Sequence, residues 1–175
     1  MKKILLPALL MAAWLLMVGA ATEATPVPAL ILAPDLAVDT SCLAVAQAVA
    51  AGQTFAPLTP QEPEEVYAFV NLEEEAVADL AFWLDATAWT PEMILAVTAT
   101  NEETMERLRD QVQAFWDYLT EQYRDYASAE LPKLENAVFC TRGLQVVFVV
   151  SPDAALAEAA LGKDFIKIAP SPNAF

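Results

Sequence analysis

Val138–Asp153 reads VFCTRGLQVVFVVSPD, and this stretch carries most of what the chain discloses about its fold. Val138–Thr141 and Leu144–Val150 are rich in β-branched and aromatic residues, which suit a pleated, packed surface. Arg142-Gly143 between them reads as a two-residue hairpin turn, with the glycine free to take a positive φ. The second strand is apolar on both faces: Leu144, Val146, Phe148 and Val150 on one, Val147 and Val149 on the other. Such a strand is central in its sheet or covered twice. Ser151 then reads as a helix cap, Pro152 as the first helical residue and Asp153 as an acid at the positive helix end. DAALAEAALGK continues as a short helix closed by Gly162. Cys140 stands two residues from Arg142, which raises the question of a reactive thiol, but every residue of the stretch already has a structural role.

Upstream, TNEETMERLRDQVQAFWDYLTEQYRDYASAE is the firmest helix. Met105, Leu108, Val112, Phe115, Leu119, Tyr123 and Tyr126 recur at spacings of three and four. Thr100 or Asn101 is its cap, acids crowd the first turn, and Glu103 and Arg107 are a favourable i,i+4 pair. Pro132 limits the far end. Before it, EMILAVTAT reads as a strand. Residues 77–84 lean to a second strand, because Leu80, Phe82 and Leu84 alternate with Asp79, Ala81 and Asp85, although the preceding glutamates and alanines also suit a helix start. Pro63 opens a short helix over Glu64–Phe69. DTSCLAVAQAVAAG is another helix, capped by Asp39, Thr40 or Ser41 and ended by Gly52 in a left-handed turn.

The first residues have a different character. Lys2 and Lys3 precede an uncharged run from Ile4 to Ala21 that ends in small residues, the form of a secretory signal over 1–21. The run is also long enough to serve as a retained anchor. Both readings place the rest of the chain outside the membrane, secreted or tethered. Residues 22–37 hold three prolines and no helical period, and read as a linker. Residues 38–168 are expected to form one α+β domain, with 169–175 as a flexible tail. The expected domain is a four-stranded antiparallel sheet with helices packed on one face, in the order helix, strand, strand, long helix, strand, strand, helix.

VFCTRGLQVVFVVSPD, the preceding strand EMILAVTAT and the helix ending near EQY…LPKLENA together resemble a bacterial domain-of-unknown-function family, number four-three-five-eight. The resemblance covers about residues 38–165 and is most specific over 93–160. It implies an exported protein of the kind found in Gram-positive anaerobes. Many of that family carry a lipoprotein signal, whereas no cysteine directly follows the apolar run here. The family brings no assigned activity, so no functional residue is carried over.

Composition narrows the chemistry. The net charge is −15, and removing 1–21 takes away two lysines and no acid. So acidic a chain repels phosphate backbones and anionic headgroups, which argues against nucleic acid and leaves membrane contact to the N-terminal segment alone. With no histidine, His-based triads and the usual zinc ligand sets are excluded. The four glycines, at 19, 52, 143 and 162, form no phosphate-binding loop. No cofactor and no metal is expected.

Three sets of residues remain as candidates. Cys42 and Cys140 are the only cysteines; in an exported chain they suggest one disulfide, worth about 4–5 kcal/mol for so long a loop, with unpaired packing thiols as the alternative. Glu62, Glu64, Glu65 and Glu73–Glu75 are candidate carboxylates for glycoside hydrolysis or calcium, but a calcium loop needs a glycine turn that is missing, and a solvated acidic face is the ordinary reading. Of the aromatics, Trp83, Trp89, Tyr123 and Tyr126 among them, Trp116 and Tyr118 lie off the main helical stripe. These two are the candidate ligand-binding pair. The expected function is a non-enzymatic binding or interaction module of the cell envelope, partnered by an envelope protein or ligand; the alternative is a hydrolase that works with carboxylates only.

Overall fold

The computed structural model describes residues 40–169, which belong to the unit Val38–Phe175. The signal segment, the linker and all but the first residue of the tail lie outside the described residues. The elements run α1 Cys42–Ala51, β1 Leu58–Pro60, α2 Pro63–Val70, a 3-10 turn Glu74–Ala76, β2 Val77–Asp85, β3 Met93–Ala99, α3 Glu102–Tyr126, α4 Leu131–Glu135, β4 Val138–Arg142, β5 Gln145–Val150, α5 Ala154–Leu161 and β6 Ile166–Lys167. The strands form one sheet in the order β1-β2-β3-β5-β4-β6, with every pairing antiparallel.

The class is α+β, as the sequence implies, but the sheet has six strands rather than four. The two additional strands are its edges, β1 with three residues and β6 with two. Neither is long enough to show an alternating pattern. The β1 edge is also blunted, since Pro57 precedes it and Pro60 ends it, and proline cannot donate to a further strand.

Helices cover both faces of the sheet, not one. On the first face Leu95, Val97, Val146, Phe148 and Val150 pack with Val66 of α2 and with Leu108, Val112 and Phe115 of α3. On the second, Ile94, Ala96, Val147 and Val149 pack with Val45, Ala46 and Val49 of α1 and Ala157 of α5. The cause lies in β5. All six of its residues are buried. Alternate side chains point to opposite faces, so two apolar faces demand two covering layers.

The hairpin turn falls one residue later than expected. Arg142 pairs with Gln145, which leaves Gly143-Leu144 as the turn, and Gly143 has φ +56°. The faces of β5 stay as assigned, because residues 146–150 keep their alternation.

Caps explain the helix ends. Asn101 accepts the amide of Thr104 at 3.0 Å, while the Thr104 hydroxyl accepts the amide of Asn101 at 3.0 Å; this reciprocal pair starts α3. Ser41 accepts the amide of Ala44 and starts α1. α2 begins at Pro63 and ends at Asn71, which holds the left-handed conformation at φ 62°. Gly52 differs from expectation: its φ is −75°, so it makes no left-handed turn. A Cβ there would lie 3.2 Å from the Cβ of Ala160. The glycine is therefore favoured by the close approach of α5, where a side chain would crowd Ala160, and not by a turn.

The start of α5 is also corrected. Its cap is Asp153, whose Oδ1 accepts the amides of Ala155 at 2.9 Å and Leu156 at 3.2 Å. Ser151 is not the cap. It continues the buried end of β5, and its hydroxyl has no hydrogen-bond partner among the described residues. Both residues are good caps by type; the strand's inward direction at Ser151 leaves the task to the aspartate.

Candidate functional site

Trp116 and Tyr118 part company. Trp116 is 1% exposed and belongs to the core. Its ring sits 5.5 Å from that of Phe148 and 6.0 Å from that of Phe139, and its indole N–H donates to the Leu134 carbonyl at 3.0 Å. A tryptophan buried and hydrogen-bonded in this way has no face left for a ligand. It lies off the stripe read from the sequence because α4 packs beside α3 and widens the buried surface to include Trp116 and Thr120. Tyr126, placed on that stripe, is exposed at the helix end.

Tyr118 is 54% exposed and lines a groove of about 430 Å³ between α2 and α3. Phe69, from α2, is the opposite wall and is 50% exposed. Sequence reading missed Phe69, although it stands three residues after Val66 on a short helix with one buried face. The ring is held rather than loose: it packs 5.2 Å from Phe115, edge to face, and 6.1 Å from Phe82. Ala114 and Phe115 contribute to the floor, and Asp110, Gln111 and Asn71 supply polar groups at the margin. A second hollow of about 180 Å³ lies on the other side of Phe69, lined by Glu65, Val66, Phe82 and Leu84. One exposed aromatic ring thus divides two apolar hollows, each with one carboxylate residue.

The two cysteines are free thiols rather than a disulfide. Cys42 is held at the start of α1. Its amide donates to Asp79 Oδ2 at 2.7 Å, and its sulfur lies 3.2 Å from Thr98 Oγ1 and 3.5 Å from Gln145 Nε2. Cys140 lies on β4 opposite Val147, one strand over and two residues along from that cluster. Burial pushes the Cys42 thiol up to about 11 against the hydrogen bonds of Thr98 and Gln145. Burial, helped by Glu158, pushes Cys140 up to about 12 despite Arg142 and Lys167. Neither is a nucleophile near neutral pH. Cys140 lines a cavity of about 530 Å³ under α5, with Lys163 and Lys167 at its margin. Phe165, its one aromatic, is covered by the Arg142 guanidinium at 4.3 Å.

The buried carboxylates are Asp85 and Glu92, not the surface glutamates read from the sequence. Burial alone would raise the Asp85 carboxyl, but hydrogen bonds from the hydroxyls and amides of Thr87 and Thr90 outweigh it and hold it down to about 2. This carboxylate closes the β2–β3 connection. Glu92 accepts the Ala56 amide at 2.6 Å and the Lys133 ammonium at 2.8 Å, which ties the segment before β1 to β3 and α4. Burial works to lower Lys133, and bonding to Glu130 and Glu92 more than offsets that, so its proton is held more firmly than usual. Lys133 therefore does not serve as a base for Ser151, although the two line the same shallow hollow. Of the surface glutamates, Glu73 pairs with Arg107 at 3.1 Å. Among the described residues no group of acids and cysteines is placed to hold a metal ion.

No described helix is long and apolar enough to cross a membrane. In comparisons with known proteins, no family model matches the chain, and no curated protein or solved structure is significantly similar to it.

Proposed function

We propose that the chain is a non-enzymatic binding module that acts outside the cytoplasmic membrane and contacts its partner through the groove between α2 and α3. The observation that carries this reading is the pair of half-exposed aromatic rings, Phe69 and Tyr118, on opposite walls of one apolar groove. Exposed aromatics on rigid helices bring large contact area at low entropic cost. The extracytoplasmic part rests on Lys2, Lys3 and the apolar run to Ala21, and on the resemblance to an exported family. Carboxylate-only hydrolysis has less support, because Asp85 and Glu92 are each engaged by structural donors and the Asp85 carboxyl is held low rather than raised toward a general acid.

A photoreactive residue at position 118 of the full chain tests the reading in a cell-envelope preparation. A discrete cross-linked adduct that disappears on Phe69→Ser is expected. The same adducts with and without Phe69, or none above the level given by a probe at exposed Glu106, would overturn it.

A further inference from the structure

We infer that the groove takes a cationic polypeptide segment of a partner protein, with apolar side chains seated on either side of Phe69 and Lys or Arg beside them. This rests on the binding role proposed for the groove and adds the chemistry of the occupant. Phe69 separates hollows of about 430 and 180 Å³, so one segment that crosses the ring has two apolar seats. Each seat has an acid in its lining, Asp110 in the larger and Glu65 in the smaller. Between residues 62 and 121 the only basic residues are Arg107 and Arg109. Both are already engaged, Arg107 by Glu73 and Glu103 and Arg109 by Asp110. Glu65 has no ion pair among the described residues. The segment that builds the groove, residues 62–121, thus carries fifteen acids against two arginines, both of them already paired. An incoming cation gains Coulomb energy and an accelerated approach, and an anionic segment or surface is repelled.

Fluorescence anisotropy with labelled synthetic peptides tests this on the full chain. The probe is a peptide of leucines spaced among lysines; the controls replace lysine by glutamate, lysine by serine, or leucine by serine, and a cello-oligosaccharide serves as a sugar probe. The leucine–lysine peptide is expected to bind best, by about tenfold or more over each control. Phe69→Ser and Tyr118→Ala should each weaken it about tenfold, and the double variant Glu65→Gln, Asp110→Asn several-fold, with the loss shrinking as salt rises. Circular dichroism and urea midpoints confirm that the variants fold. Equal binding of the leucine-free lysine peptide would reduce the effect to general charge and overturn the inference. Stronger Phe69-dependent binding of the serine or glutamate peptide, or of the sugar, would overturn the cationic partner while leaving the groove as a binding site. No Phe69-dependent binding of any probe overturns the inference and counts equally against the groove.

Discussion

Replacing Asp153 by alanine removes one oxygen that accepts two amides of the first turn of α5, from Ala155 at 2.9 Å and Leu156 at 3.2 Å. Loss of a cap of this kind costs about 1 kcal/mol. The lost negative charge at the helix N-terminus adds about 0.3–1 kcal/mol. The expected destabilisation is then about 1.3–2 kcal/mol, and Asp153→Ser should restore most of the cap while losing the charge. Ser151→Ala works in the opposite direction. The Ser151 hydroxyl is buried without a partner among the described residues, and such a group costs about 1–3 kcal/mol when unsatisfied. Its removal should leave stability unchanged or raise it by about 1 kcal/mol. Urea unfolding separates the two variants: with a slope of about 1–3 kcal/mol per molar, Asp153→Ala lowers the midpoint by roughly 0.4–2 M and Ser151→Ala does not lower it. A Ser151→Ala midpoint that falls as far as that of Asp153→Ala, or an Asp153→Ala variant equal to the parent, would refute the assignment of the cap.

Trp116→Phe should cost about 1–3 kcal/mol, since it removes the indole N–H donor to the Leu134 carbonyl and leaves a void beside Phe148, yet it should not change peptide binding at the groove; urea unfolding and anisotropy on one variant check both parts. Cys42 and Cys140 should be slow to react in the folded chain: with a thiol at about 11, only about 0.1% is thiolate near pH 8, and a thiol reagent should label both within the mixing time only in denaturant. A mass two hydrogens short under non-reducing conditions would contradict the free-thiol arrangement. Asp85 makes stability depend on acid. Its folded value of about 2 lies below the ordinary 3.8, so its contribution is complete above the ordinary value and is lost as pH falls from there through about 2. Asp85→Asn should lower the urea midpoint at neutral pH and flatten that acid limb; a parallel pH profile in the variant would show that Asp85 is not its source.

How far the sequence discloses the fold depends on how locally each feature is decided. β5 was legible down to its faces, because alternation and β-branching are properties of the strand itself, and Val146, Phe148 and Val150 lie opposite Val147 and Val149 as read. The start of α3 was legible for the same reason, to within Thr100 or Asn101, of which Asn101 is the cap. What failed was decided at a distance. Gly52 answers to Ala160, more than a hundred residues away in the chain. Trp116 is buried by α4, and the short edges β1 and β6 form only because β2 and β4 are there to receive them. The groove was half legible. Tyr118 stood out as an aromatic off its stripe, but Phe69 became visible only when α2 was set against α3.

The complete burial of Gln145–Val150 has a consequence for the life of the protein once it unfolds. QVVFVV has high β-propensity, no charge and no proline, the composition from which cross-β fibrils nucleate. In the native sheet it is shielded by β3 and β4 on its edges and by helices above and below. The β4 partner is a local hairpin and forms early, whereas β3 is separated from β5 by the whole of α3 and α4 and must be found across the chain. Until it is found, one edge of this segment is open to a neighbouring molecule. Heating a concentrated solution should therefore end in precipitate rather than in a reversible transition, and the useful lifetime of the protein is set by how rarely the β3–β5 seam opens.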